Sequence, residues 1–442
     1  MRERKSGEGE RGGKYHMENT PLDTALEQLI QQTGLPEDAY ENHKFMLNLK
    51  IPDKLNSSTA SGFNLLLNEL YEATVGGRNK TAATELKRHC ILVLLNLADC
   101  ALYHKWLVVH YRKETIHGES KGKENTPATF FYKRSNISHR PLTVVVDYLV
   151  EHGLVIKHKG AQFKNKPMAT RLFPKPELRK QLIKIALEVE EEFTPPYARI
   201  NKPGRTTGIL KAQPSMEKIN AYLKDHRWAC KAPVTRVYKD TTLKSGRLFT
   251  RFQNLPANRI PLRINTLIDD KPIAEVDFSA SHLRISLGMF GHQDAGDTPY
   301  EDIAEIANDK RVDRNKVKTF VNRALSCRER LQCFNALKVE SFNQELFDKV
   351  EAATLNRYPK LPLYQDYGIY MHNREGNILT DVMLAGIKED IVVLPIHDAV
   401  AVQQEHADWA HETMKEYWCR NMLGDDGKRL KGVLPRLKIN VP

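Results

Sequence analysis

The chain has 442 residues, 41% of them hydrophobic, and carries a formal net charge of +12. That length suits two or three domains at roughly 100–200 residues each, and the apolar content is enough for packed cores, which excludes a wholly disordered chain. No apolar run reaches the about 18 residues of a membrane span, and the six cysteines show neither CxxC pairs nor histidine partners at zinc-ligand spacing, so they read as reduced thiols in a reducing compartment.

Residues 1–20 open with MRERKSGEGERGGKYH, polar and glycine-rich, with no apolar segment behind the charges. This composition predicts a disordered arm and not a secretory signal. From 21 to 194 the chain reads as a mainly helical domain, with Leu and Ala at helical spacing over 82–107 and a polar, basic loop over 112–133. Ser138 is placed to cap a helix with Pro141 in its first turn, running PLTVVVDYLVEHG and stopping at Gly153. LVIKHKG, AQFKNKPM and ATRLF then predict a two-stranded ribbon with a basic tip. Helix plus ribbon resembles a winged-helix DNA-binding module, with Lys157, Lys159, Lys164 and Lys166 reaching phosphates. A charged helix follows over 176–194, and 195–214, rich in Pro, Gly, Lys and Arg, reads as a linker.

Beyond the linker, 215–442 alternates strands and helices, which makes the fold class α+β. The strand IAEVDF leads into the helix SASHLRISLGMFG; a basic helical segment covers 301–330, and a long helix covers 371–388. VVLPI, the turn His397-Asp398 and AVAVQ form a hairpin, and a last helix covers 405–420.

Asp277 ends an apolar strand and Asp398 sits in the turn of an apolar hairpin. A carboxylate in such surroundings destabilises the fold unless it is paired or binds a cation. Taken alone, Asp277 is equally a helix cap. Two carboxylates at strand ends can converge on the pair of divalent ions used in phosphoryl transfer, and magnesium, with manganese as a substitute, suits such oxygen ligands. In VDRNKVKTFVNRAL, Arg314 and Lys318 share one helical face and suit a triphosphate; the plainer account is a solvated basic face. The cationic excess of the whole chain fits nucleic acid as a partner.

EVDFSASHLRISL resembles motif A of family A DNA polymerases (the bacterial DNA polymerase I type), here Asp277, Phe278, Ser279 and Arg284. LPIHDAVAV is similar to motif C, here His397 and Asp398, and Arg314 with Lys318 matches the Arg-x-x-x-Lys start of motif B. The motifs occur in the family's order within 235–420. The resemblance implies a palm with reduced fingers, two metal ions held by Asp277, Asp398 and the Phe278 backbone carbonyl, and template-dependent nucleotidyl transfer on a DNA primer–template. It also implies that Arg314, Lys318 and His282 meet the nucleotide. Arg284 is either a primer-side residue or a buried carboxylate partner, and His397 either fixes its turn or meets the primer backbone.

SGRLFTRFQNLP resembles a segment of compact polymerase-like proteins of phages and mobile elements, which brings Arg247, Arg251 and Gln253 toward template or nucleotide unless they belong to a plain basic hairpin. Glu375 and Asn377 would lie near the primer terminus. A phage, plasmid or mobile element in the cytoplasm of a bacterial cell is the implied setting.

Two departures stand out. His282 replaces the Glu that helps exclude ribonucleotides, and 322–327 lacks the aromatic and Tyr-Gly of motif B. RNA synthesis and primase activity therefore stay open beside DNA synthesis. So does a non-catalytic DNA-binding initiator carrying a remnant palm.

Overall fold

The computed structural model describes residues 20–36, 43–45, 57–110, 137–158, 162–163, 166–167, 169–202, 208–209, 213–257, 261–290, 295–422 and 434–442. The expected arm over 1–19, the loop over 112–133, Lys159 and Lys164 lie outside them. The fold is mixed α+β, with small sheets set among helices. No helix among the described residues is long and apolar enough to cross a membrane.

The N-terminal half is built around the helix Lys80–Leu102, in which every residue from Leu92 to Leu102 is buried. A helix that is apolar all round has to be central. The helices Pro21–Thr33, Ser57–Val75, His139–Glu151 and Pro176–Glu188 lie about it. The helical pattern predicted as far as Leu107 breaks at Leu102, and Trp106–Val109 is a fully buried strand. Its residues WLVV are aromatic and branched, and they gain more from sheet packing than from another helical turn. This half is therefore less purely helical than its sequence pattern. It contains a four-stranded sheet ordered His43–Phe45, Trp106–Val109, Thr170–Pro174, Val155–His158.

His139–Glu151 buries Leu142, Val145, Val146 and Leu149 at helical spacing and is followed by Gly153 at φ 66°, a conformation that favours glycine. The Ser138 hydroxyl makes no capping bond and instead donates to Glu85. Val155–His158 and Thr170–Pro174 then pair antiparallel. The stretch 195–214, read as a linker, contributes the strand Ala198–Asn201, which pairs parallel with Thr235–Lys239 and antiparallel with Gly208–Ile209. The open edge of the Thr235–Lys239 strand captures the passing backbone, satisfying its amides.

In the C-terminal half, Lys271–Phe278 pairs antiparallel with Ala399–Gln403, which pairs with Leu394–Ile396. The other edge of Lys271–Phe278 is shared by Leu267–Ile268 and by Leu437–Asn440 near the chain's end. The helix Gly368–Lys388 lies along the strand Thr241–Phe249, and Ala407–Asn421 covers the five-stranded sheet, with Trp418 4.9 Å from the Phe278 ring. One continuous apolar core joins both halves.

Candidate active site

Strand pairing brings Asp277 and Asp398 together. In the antiparallel ladder Asp277 stands opposite Ala399, and the Phe278 amide donates to the Asp398 carbonyl at 3.4 Å. The two aspartates thus occupy adjoining positions at one end of the sheet. Both turns that present them use non-glycine residues in the left-handed region, Ala280 at φ 53° and His397 at φ 53°. Such residues cost about 1 kcal/mol or more each, and they persist where surrounding packing holds them.

The carboxylates are short of positive charge. Burial, with the nearby Asp398 charge, pushes the Asp277 carboxyl up to about 7, although Lys318 and Lys438 oppose the shift. Burial and the Glu375 charge raise Asp398 as well. A third carboxylate on the same strand, Glu275, is already neutralised by Arg263, with bonds of 2.7 and 2.9 Å. Among the described residues no group of three or more His, Cys, Asp and Glu is arranged to hold a metal ion. Two hard, crowded oxygen donors with elevated proton affinity fit a divalent cation, which would relieve their repulsion.

Behind the aspartates lies a carboxylate of opposite character. Glu375, on Gly368–Lys388, is 1% exposed. It accepts from the Ser281 hydroxyl at 2.5 Å, lies 3.2 Å from His282 Nε2, and has the Arg247 guanidinium at 3.6 Å. Burial pushes its carboxyl up, but His282, Arg247 and Ser281 outweigh that and hold it down to about 2. In return, and against the effect of burial, Glu375 holds the His282 imidazole above its usual range. The His372 ring, 4.8 Å away, is driven down to about 3 by burial and by the His282 and Arg247 charges. The Ser281 hydroxyl also lies 3.1 Å from Asp398 Oδ2. Its single proton serves one carboxylate at a time, so Ser281 links the two groups.

Close backbone approach makes this cluster possible. A Cβ at Gly376 would stand 2.1 Å from the Gly246 carbonyl, so only glycine lets Gly368–Lys388 lie this close to Thr241–Phe249. The Arg236 side chain donates to Gly246 O at 2.9 Å and to Asn377 Oδ1 at 2.5 Å, joining the same two elements. The neighbours of the two glycines, Arg247 and Glu375, are thereby brought together.

The remaining expected residues divide. Lys318 lies on Arg314–Ser326, where its charge acts on Asp277. Arg314 is engaged by Glu301 at 2.9 Å and lies 5.7 Å over the Tyr300 ring, so the shared helical face does not leave both cations equally free. His397 is exposed at its turn.

Three residues expected near the primer or template have inward-facing contacts. Arg284 is fully buried and donates to the carbonyls of Ser279 at 3.0 Å and Gly296 at 2.5 Å, bracing the strand-to-helix turn from inside. Arg251 lies 3.5 Å from both Asp99 and Glu191, tying the two halves together. Gln253 is 3% exposed; its backbone carbonyl accepts from Arg263 at 3.0 Å, and among the described residues its buried side-chain Oε1 has no hydrogen-bond partner. All three are turned inward because their flanking apolar residues, such as Phe252, Leu255, Leu283 and Ile285, form the core.

In the N-terminal half, Lys157 lies 3.7 Å from Asp147 of the preceding helix, and Lys166 falls in the short strand Lys166–Pro167. Ser281, His372 and Lys438 were missed as site residues. Ser281 lies within the first motif and His372 on the helix before the hairpin; nothing local marks Lys438.

No protein-family model matches the chain, and no curated protein matches it.

Proposed function

We propose that this chain is a template-dependent nucleotidyltransferase of the family A polymerase type. In this reading 215–442 is a palm with reduced fingers, and 21–194 carries a winged-helix-like module that holds DNA. The observation that carries the reading is the convergence of Asp277 and Asp398 at one end of the sheet, two carboxylates whose proton affinity is raised, with the Lys318 charge acting on Asp277. Two-metal phosphoryl transfer needs such a pair. The run of His139–Glu151 into the antiparallel strands Val155–His158 and Thr170–Pro174 supports the DNA-holding module.

Asp277 and Asp398, with the Phe278 carbonyl, would hold two magnesium ions, which supply Lewis-acid polarisation and charge for the attacking and leaving oxygens. Lys318 binds the triphosphate and offsets charge on the departing pyrophosphate. The 3′ hydroxyl of the primer forms a bond to the α-phosphorus, losing its proton to solvent, as the bond from that phosphorus to the bridging oxygen breaks. Arg314 adds charge at the triphosphate end. Glu375 holds His282 and Ser281 in place beside Asp398, so where the family has a glutamate this chain has a histidine whose proton affinity Glu375 raises. DNA primer–template and deoxynucleotides are the favoured substrates, and RNA synthesis is the arm that His282 keeps in the test.

A labelled primer–template with Mg²⁺ and either dNTPs or rNTPs provides that test. Extension is expected from the wild type and is expected to vanish in Asp277→Asn and in Asp398→Asn. Product formed without a primer would move the reading to a primase. A folded wild type that binds DNA and incorporates nothing would sink the enzyme and leave a non-catalytic initiator.

A further inference from the structure

We propose that Lys438, on the C-terminal strand, is a triphosphate-binding residue of this site. The inference rests on the nucleotidyl-transfer reading and adds to it a residue that no motif contains. Leu437–Asn440 runs antiparallel on the strand that carries Asp277, and its register sets Lys438 directly opposite Asp277. Directly opposed residues in such a pair project from the same face with Cβ atoms about 4.5–5.5 Å apart. The Ser279 amide donates to the Arg436 carbonyl at 2.7 Å, which continues the ladder past Phe278 and locks that register.

The ammonium is uncommitted. Arg436, two positions earlier, is paired with Asp297 at 2.7 Å. Among the described residues Lys438 has no ion pair within bonding distance, while its charge reaches Asp277. Lys318 acts on the same carboxylate from the helix Arg314–Ser326, so Asp277 is bracketed by two lysines on separate elements.

The charge balance points to the ligand. Formally the charges of Lys318 and Lys438 equal those of Asp277 and Asp398, but among the described residues no ion pair joins them, and burial keeps both carboxylates raised. Two divalent ions then leave four positive charges in a small volume, which is the charge of a fully ionised triphosphate. A nucleic-acid backbone carries one charge per phosphate along a track and matches such a compact excess poorly.

The test measures equilibrium binding of a dNTP to the primer–template complex with Ca²⁺ as the divalent ion, alongside binding of primer–template itself. Lys438→Thr removes the ammonium and keeps a strand-forming residue; Lys438→Met is a second such variant. Both are expected to weaken nucleotide binding about tenfold, roughly 1.4 kcal/mol, with primer–template affinity unchanged. Lys438→Arg should restore most of the loss, inorganic tripolyphosphate should compete less well against both uncharged variants, and Arg436→Gln should bind as the wild type does.

Wild-type nucleotide affinity in Lys438→Thr and Lys438→Met would overturn the proposal, and so would a loss confined to primer–template binding. An equal loss in Arg436→Gln would also overturn it, by reducing Lys438 to generic edge charge. If the wild type binds nucleotide and extends primer while the Lys438 variants match it, only this inference fails. If the wild type binds no nucleotide at all, the nucleotidyl-transfer reading fails with it.

Discussion

The Asp277–Asp398 corner and the Glu375 pocket lie side by side, yet their carboxylates have opposite fates. Glu375 is the more deeply buried, and it is held ionised, at about 2, by His282, Arg247 and Ser281. Asp277 is less buried but holds its proton up to about 7, because its closest influences are burial and another carboxylate. The protein has supplied Glu375 with counter-charges from two elements, His282 on the helix Ser281–Met289 and Arg247 on the strand Thr241–Phe249, and has left the aspartates wanting. Burial alone therefore does not set the state of a carboxylate; the charges placed beside it do.

The sharpest way to break this comparison is to neutralise each side. Asp277→Asn or Asp398→Asn is expected to reduce nucleotide incorporation at least about 1000-fold, about 4 kcal/mol of transition-state stabilisation, in a primer-extension assay. The metal-free protein should melt no lower than the wild type. Glu375→Gln should do the reverse to the fold. It strands His282 and the half-buried Arg247 without their counter-ion, and urea unfolding should show a loss of about 3 kcal/mol. Equal stability in Glu375→Gln would mean that the pocket is not self-compensated.

Gly376→Ala attacks the contact that joins Arg247 to Glu375. A methyl group 2.1 Å from the Gly246 carbonyl forces strand and helix apart, and a loss of about 2–3 kcal/mol is expected by the same measurement.

The pH dependence sharpens the contrast. Asp277 has a folded value raised to about 7 from 3.8, so the stability linked to it is full below about pH 4 and is lost as pH rises through 7. Mg²⁺ should therefore raise the melting temperature at pH 8 and do little at pH 5, which a pair of thermal melts would check. Glu375 has the opposite sign. Its folded value is depressed from 4.5 to about 2, so its contribution is present above about pH 4.5 and disappears as pH falls toward 2.

The smallest effect is at the turn before the helix Ser281–Met289. Ala280→Gly relieves a left-handed alanine at φ 53° and should change stability by no more than about 1 kcal/mol. A loss of activity out of proportion to that change would show that the strained turn positions the site.

Where a residue's place depends on its own neighbours, the sequence was enough. IAEV ahead of Asp277 and the apolar runs flanking His397-Asp398 specify a strand end and a tight hairpin, because side-chain alternation and turn chemistry are local. The mixed α+β character follows from the same signals, as does the helix from His139 to Glu151. Local signals were weaker where packing competed. The helical pattern over 82–107 gave way to a strand at Trp106, and 195–214 gained a strand from a neighbouring edge.

Tertiary structure alone decided which charges are neutralised. Arg284 and Arg251 read as ligand contacts in one dimension, yet Arg284 turns inward to the carbonyls of Ser279 and Gly296, and Arg251 reaches Asp99 and Glu191 in the other half. Glu375 becomes a saturated anion only because two glycines, Gly246 and Gly376, let a strand and a helix meet. Lys438 reaches Asp277 only through the register of the last strand. Electrostatic free energy depends on separation in space and on desolvation, and neither is a property of position along the chain.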